Sequence, residues 1–159
     1  MSPVGKFGRR IRRSRKGGVE VRLADDEREF LRSLAPQMRD LLEDPEDPAV
    51  ARLFPVAYPD HEDRQAEYRI LAGGELLDSH REALAALEAT AGAERLDDEQ
   101  ANAWLRALNE IRLVLGTRLG VTEDHDAWPT DADDPRVPAF AAYDFLSRLQ
   151  GELVEALLD

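Results

Sequence analysis

Apolar side chains in this chain return every three or four residues rather than every two. Phe30, Leu31, Leu34, Met38, Leu41 and Leu42 form one such series, Ala101, Trp104, Leu105, Leu108, Ile111 and Leu115 a second, and Ala142, Phe145, Leu146, Leu149, Leu153 and Leu157 a third. That period lines one face of an α-helix, so the chain must gain its core by packing helices. Composition agrees, because 22 Ala and 22 Leu stand against 16 Val, Ile and Thr together, a bias toward residues that lose little rotamer freedom in a helix. At 159 residues a single domain is expected over 1–159. The expected fold class is mainly α: a helical bundle of about five helices, 24–159, with a small N-terminal β-hairpin, 1–23.

The hairpin follows from parity. Ile11, Val19, Val21 and Leu23 are all odd-numbered, so in extended segments they share a face, and Lys16-Gly17-Gly18 supplies a turn that tolerates positive φ. An isolated two-stranded hairpin is marginal in water, so its apolar face should rest on the helices with the arginines outward.

Helix boundaries come from caps and breakers. Asp26 and Glu29 have capping-box spacing ahead of the first series, and Pro36 inside it predicts a kink. Asp47-Pro48 reads as a cap followed by proline at the first helical position, opening a short turn that runs through Phe54 until Pro55 stops it. Asp60 is expected to cap a helix to about Ala72, with Gly73-Gly74 breaking the chain before a second run from Glu75 to about Thr90, in which Leu76, Leu77, Ala83, Leu84 and Leu87 form the stripe. Asp97 and Gln100 make another capping box, and Gly120 with Val121 suits a left-handed C-cap. Residues 122–135 are acidic, contain Pro129 and Pro135, and read as a long surface loop. The last helix should start near Pro138. Its stripe is either an internal packing face or a homodimer interface, since periodicity does not separate the two.

Charge is uneven. Residues 1–16 carry seven basic side chains (Lys6, Arg9, Arg10, Arg12, Arg13, Arg15 and Lys16) and no acid, so the overall −12 leaves −19 on the remainder. A body of that charge repels nucleic acid, and binding of that kind would fall to the hairpin alone, through Arg9, Arg10, Arg12, Arg13, Arg15 and Lys16. No apolar stretch approaches the roughly 18 residues of a membrane span. The paired arginines hint at an export signal, but Gly17, Gly18 and the charged stretch from Glu20 stand where an apolar segment is required, so a cytoplasmic location is expected. The absence of cysteine removes disulfides, thiolate metal sites and thiol nucleophiles.

The helix around 105–119 is apolar over much of its circumference and should be central. Asn109 and Arg112, three apart on it, then need partners for burial. They either form a polar pocket for a carboxylate or peptide end, or join an ion-pair network with an acid such as Asp144. Arg118 near the helix C-terminus complements the helix dipole. In the Leu53-Phe54-Pro55 to Tyr58-Pro59 connection, Phe54, Pro55 and Tyr58 either anchor a protein partner or fold inward onto the bundle.

Arg52-Leu53-Phe54-Pro55-Val56-Ala57-Tyr58, Glu67-Tyr68-Arg69, Trp104-Leu105-Arg106-Ala107-Leu108-Asn109, the run from Leu113 to Val121 and Tyr143-Asp144-Phe145-Leu146 together resemble an uncharacterised actinobacterial domain family. The resemblance spans nearly the whole chain, and Leu115-Gly116-Thr117-Arg118-Leu119-Gly120-Val121 is its most specific part. Such domains are often encoded beside ClpS, the adaptor that delivers substrates with certain N-terminal residues to the Clp protease. The resemblance therefore implies a neighbourhood in Clp-dependent proteolysis and carries no catalytic residue with it.

The histidines, glycines and acidic loop form no recognisable catalytic or metal-binding motif. His61-Glu62-Asp63-Arg64-Gln65 lacks the second histidine of a zinc-protease helix. Counting from Asp124, an EF-hand would need glycine and glutamate where Pro129 and Pro135 stand. Neither glycine pair continues into a P-loop, and Ser79 beside His80 lacks the Gly-x-Ser-x-Gly turn. No cofactor, metal or catalytic residue is expected. The expected function is a non-enzymatic protein–protein interaction, adaptor or regulatory module whose first candidate partners are the Clp adaptor or protease; the alternative is a nucleic-acid-binding regulator acting through the basic hairpin.

Overall fold

The odd-numbered hairpin residues turn inward. In a computed structural model describing residues 9–44, 46–53, 61–121 and 128–159, with side chains 65–73 left aside, β1 (Ile11–Arg13) and β2 (Val19–Val21) pair antiparallel with Ile11 opposite Val21. Ile11 and Val19 are fully buried. Gly17 and Gly18 take the turn at φ 93° and 69°. The hairpin is not the whole sheet, however. A third strand, β3 (Arg95–Leu96), adds to the far side of β2 with Leu96 opposite Val19 and Arg95 opposite Glu20, giving the order β1-β2-β3. Two residues are too few to show a period, so this strand had no sequence signal. Nor is the hairpin a detached arm. Its apolar face belongs to the same core as the helices, and the outer edge of β1 is closed by Glu152, which accepts from the Arg10 amide at 2.6 Å.

Helix α1 (Asp25–Leu42) begins one residue before the expected capping position. Glu27 accepts from the Ala24 amide at 2.9 Å, which is half a capping box, since Ala24 has no side-chain acceptor. The helix continues through Pro36, which is exposed, with Leu31, Ala35, Met38 and Leu42 buried. The short α2 (Pro48–Ala51) is capped by Asp47, whose side chain accepts from Ala49 at 2.8 Å. The expected break at Gly73-Gly74 does not occur: α3 is continuous from Glu62 to Thr90, with His61 rather than Asp60 as its N-cap. Glycine weakens a helix by about 1 kcal/mol without forbidding its dihedrals, so the helix runs on through the pair.

Helix α4 (Asp98–Leu119) is central, as its circumference indicated, and it carries the expected termini. Asp97 accepts from the Gln100 amide at 2.7 Å while Gln100 accepts from the Asp97 amide at 2.9 Å. Gly120 is left-handed at φ 68°, with the Val121 amide donating to Gly116. The family-like residues have structural work here. Trp104 is fully buried and donates to Thr90 Oγ1 at 2.6 Å, and a Cβ on Gly116 would meet the Tyr143 ring at 3.0 Å. Arg118 pairs with Asp47 at 2.8 Å, tying α4 to the α2 cap.

Helix α5 (Val137–Leu158) buries Leu146, Leu149 and Leu153 against α4 and β1. Its stripe is therefore covered by the chain itself, which corrects the homodimer reading of that face. The acidic loop is also more than a solvated connection, because Trp128 packs on Phe140 at 5.2 Å and on Tyr143 at 6.4 Å between ring centroids; residues 122–127 lie outside the described residues. Among the described residues no helix is long and apolar enough to cross a membrane.

Candidate functional site

Two places gather polar chemistry. The first lies where α3 faces α4. His80 and Glu110 are both buried and paired, Nδ1 to Oε1, while His80 Nε2 lies 3.3 Å from the Leu53 carbonyl. Both ring nitrogens therefore lie beside oxygen atoms, and the neighbouring Glu110 favours the protonated ring. Burial pushes the His80 pKa down, but the hydrogen bond and charge of Glu110, helped by the Leu53 carbonyl, outweigh it and hold the ring above its ordinary value. The second carboxylate oxygen, Oε2, is buried with no hydrogen-bond partner among the described residues. The pair forms one wall of a cavity of about 390 Å³ that also takes in Leu53, Leu76, Leu113, Asn109 and the exposed Arg52 and Arg106.

Sequence reasoning missed this pair although its phase was readable. His80 falls four residues before Leu84 and seven before Leu87, and Glu110 falls three after Ala107 and four before Val114, so both occupy core positions of their helices. A titratable residue on a core stripe is the signal. The singled-out Asn109 and Arg112 do not close a pocket together. Asn109 is half-buried and accepts from Gln150 at 3.4 Å, whereas Arg112 lies over the Tyr143 ring at 6.0 Å. The Arg112–Asp144 ion pair is also not formed, since Asp144 turns to Arg148, one helical turn away on α5, at 3.0 Å. Phe54, Pro55 and Tyr58 lie outside the described residues.

The second place is the outer face of the sheet. Of the basic residues singled out there, three are committed to the body: Arg9 to Glu155 at 3.0 Å, Arg10 to Glu27 at 2.9 Å and Arg13 to Asp98 at 3.2 Å. Arg10 is half-buried and also lies over the Phe145 ring at 5.5 Å, so the expectation that all the arginines face solvent holds only in part. Arg12, Arg15 and Lys16 are exposed and make no ion pair among the described residues. The third strand and the end of the second add Arg95 and Arg22, and all five line an open groove of about 940 Å³ that also contains Glu20 and Glu94. Arg28, at the base of the groove, instead donates to four backbone carbonyls, of Val21, Leu23, Ala91 and Ala93, and so locks the sheet to α1 and to the end of α3.

Comparison with known proteins adds two findings. Residues 8–157 match the family described as "Domain of unknown function (DUF2017)". The chain is also similar to a Mycobacterium leprae protein named "Putative oxidative stress regulator AosR", at 34% identity over 131 residues, 72% of this chain and 60% of that protein. The chain thus spans less than two thirds of that relative's length. No solved structure matches the chain.

Proposed function

The chain belongs to the DUF2017 family, and from that premise we propose that it is a non-enzymatic regulatory module that binds an acidic segment of a protein partner on the outer face of its sheet. The observation that carries this reading is the groove of five cations that make no ion pair among the described residues, Arg12, Arg15, Lys16, Arg22 and Arg95, on a chain whose net charge is −12. Such a face attracts a negatively charged segment and orients it, giving selectivity and association rate. The regulator's name borne by the relative supports the regulatory part. A redox response in this chain would run without a thiol, since it has no cysteine.

Nucleic acid ranks below a protein partner on the same geometry. Three of the arginines that would touch phosphate already hold body carboxylates, and the acids beyond residue 16 oppose a duplex. Five remaining contacts would give a slope of log affinity against log salt of about −4.5 on duplex DNA. The first partners to test are the Clp adaptor and the Clp protease, on the gene neighbourhood attached to the family resemblance, and a cytoplasmic location fits that setting.

The test is a binding titration of the purified chain against each Clp candidate at two salt concentrations, repeated with Arg12→Glu, Arg22→Glu and Arg95→Glu combined. Saturable, salt-sensitive binding that the charge-reversed variant loses, with unchanged helical content, is expected. Binding that survives charge reversal removes the sheet face from the proposal. Retardation of random duplex DNA with the steep salt slope would replace it with the nucleic-acid reading.

A further inference from the structure

The cavity beside His80 and Glu110 has a chemistry that the regulatory reading leaves unused. Its inner wall holds a buried carboxylate with one oxygen, Oε2, unpartnered among the described residues. Its other oxygen, Oε1, is already paired with His80 Nδ1. What Oε2 still asks for is a donated hydrogen bond rather than a second cation, because a buried acceptor left unmade is costly and a further positive charge would face His80. At the mouth, Arg52 and Arg106 are exposed, with Arg52 donating to Thr117 and Arg106 to the Ser79 carbonyl. Each guanidinium has five N–H donors, so most of them stay open to an anion. Leu53, Leu76 and Leu113 supply the apolar lining. A volume of about 390 Å³ lies in the small-ligand range.

From this arrangement we infer that the cavity is a binding site for a small aliphatic carboxylate bearing a hydroxyl group, with the carboxylate at Arg52 and Arg106, the hydroxyl donating to Glu110 Oε2 and the hydrocarbon against the leucines. The site is separate from the cationic sheet face, and its occupancy gives the chain an input distinct from its partner surface.

Calorimetric titration of the purified full chain tests it with three probes that share one carbon skeleton: 2-hydroxy-4-methylpentanoate, 4-methylpentanoate and leucine. The hydroxy acid should bind tightest, and the probe without a donor should be weaker by roughly tenfold, the equilibrium equivalent of one hydrogen bond to a charged group. Arg106→Ala, on an exposed position, should weaken both hydroxy acid and plain acid alike. Glu110→Gln should abolish only the difference between them; if that variant fails to fold, Arg106→Ala and the probe series still decide. Absence of binding by all three at millimolar concentration, which leaves a cavity that takes up water alone, overturns the inference. Leucine binding tighter than the hydroxy acid overturns the assignment of charge at Glu110.

Discussion

Gly17→Ala and Gly18→Ala are neighbouring substitutions of identical chemistry, and the structure separates their outcomes. Both glycines have positive φ, 93° and 69°, so an alanine at either position takes on backbone strain of about 1–2 kcal/mol. At Gly17 that is the whole effect, since an added Cβ meets nothing within 4 Å. At Gly18 the same Cβ would lie 2.1 Å from the Leu96 carbonyl oxygen and 3.1 Å from the Asp97 Cα. A backbone atom cannot swing aside as a flexible side chain does, so β3 must move away from β2, giving up the pairing of Val19 with Leu96 and disturbing two fully buried side chains. Adding the partial loss of Leu96 burial, about 1.5–3 kcal/mol for a whole leucine, brings Gly18→Ala to about 2–4 kcal/mol. Thermal unfolding followed by far-ultraviolet circular dichroism measures both. With a thermal midpoint change of about 2–4 °C per kcal/mol for a chain of this size, Gly17→Ala should lower the midpoint by a few degrees and Gly18→Ala by roughly twice as much. Equal destabilisation by the two, or a milder effect at Gly18, would refute the close approach of β3 and with it the groove that β3 helps to build.

Three further outcomes follow from the same structure. Gly74→Ala should stabilise the chain by about 0.4–1 kcal/mol in urea titrations, because the position is helical and a Cβ there meets nothing within 4 Å; destabilisation would mean that the helix breaks there after all. Asp97→Ala should destabilise by about 1 kcal/mol, since it removes the side-chain half of the α4 capping box, and Asp97→Asn should restore most of the loss. The folded-state pKa of His80 is raised above its unfolded value near 6.5, so its contribution is fully present below that pH and fades as pH rises through the folded value. Stability of the wild type should accordingly fall from pH 6 upward relative to His80→Gln, and a pH profile identical in the two would remove the imidazolium from the pair.

The candidate sites were legible to different degrees. The basic hairpin stood out in the sequence, yet which of its charges remain available did not, because Arg9, Arg10 and Arg13 meet acids 17 to 146 positions away. The cationic groove needed Arg22 and Arg95 as well, and Arg95 joins it only through a two-residue strand. Asn109 and Arg112 drew notice for sitting on an apolar helix, but Glu110 between them is the group that the helix buries. Phase could have found Glu110. Its pairing with His80, 30 residues earlier, depended on how α3 crosses α4.

What the sequence alone determined is local: helical spacing of leucines and alanines, the Asp97–Gln100 box, the Asp47-Pro48 start, the left-handed stop at Gly120 and the inward parity of Ile11, Val19 and Val21. These rest on interactions within a few residues, where backbone geometry limits the choices. The tertiary structure decided the rest: one helix through Gly73-Gly74, a third strand at Arg95–Leu96, the internal use of the α5 stripe and the meeting of His80 with Glu110. Each is a competition between a small local preference, on the order of 1 kcal/mol, and the burial of several side chains at once, and only the packed arrangement reveals which side prevails.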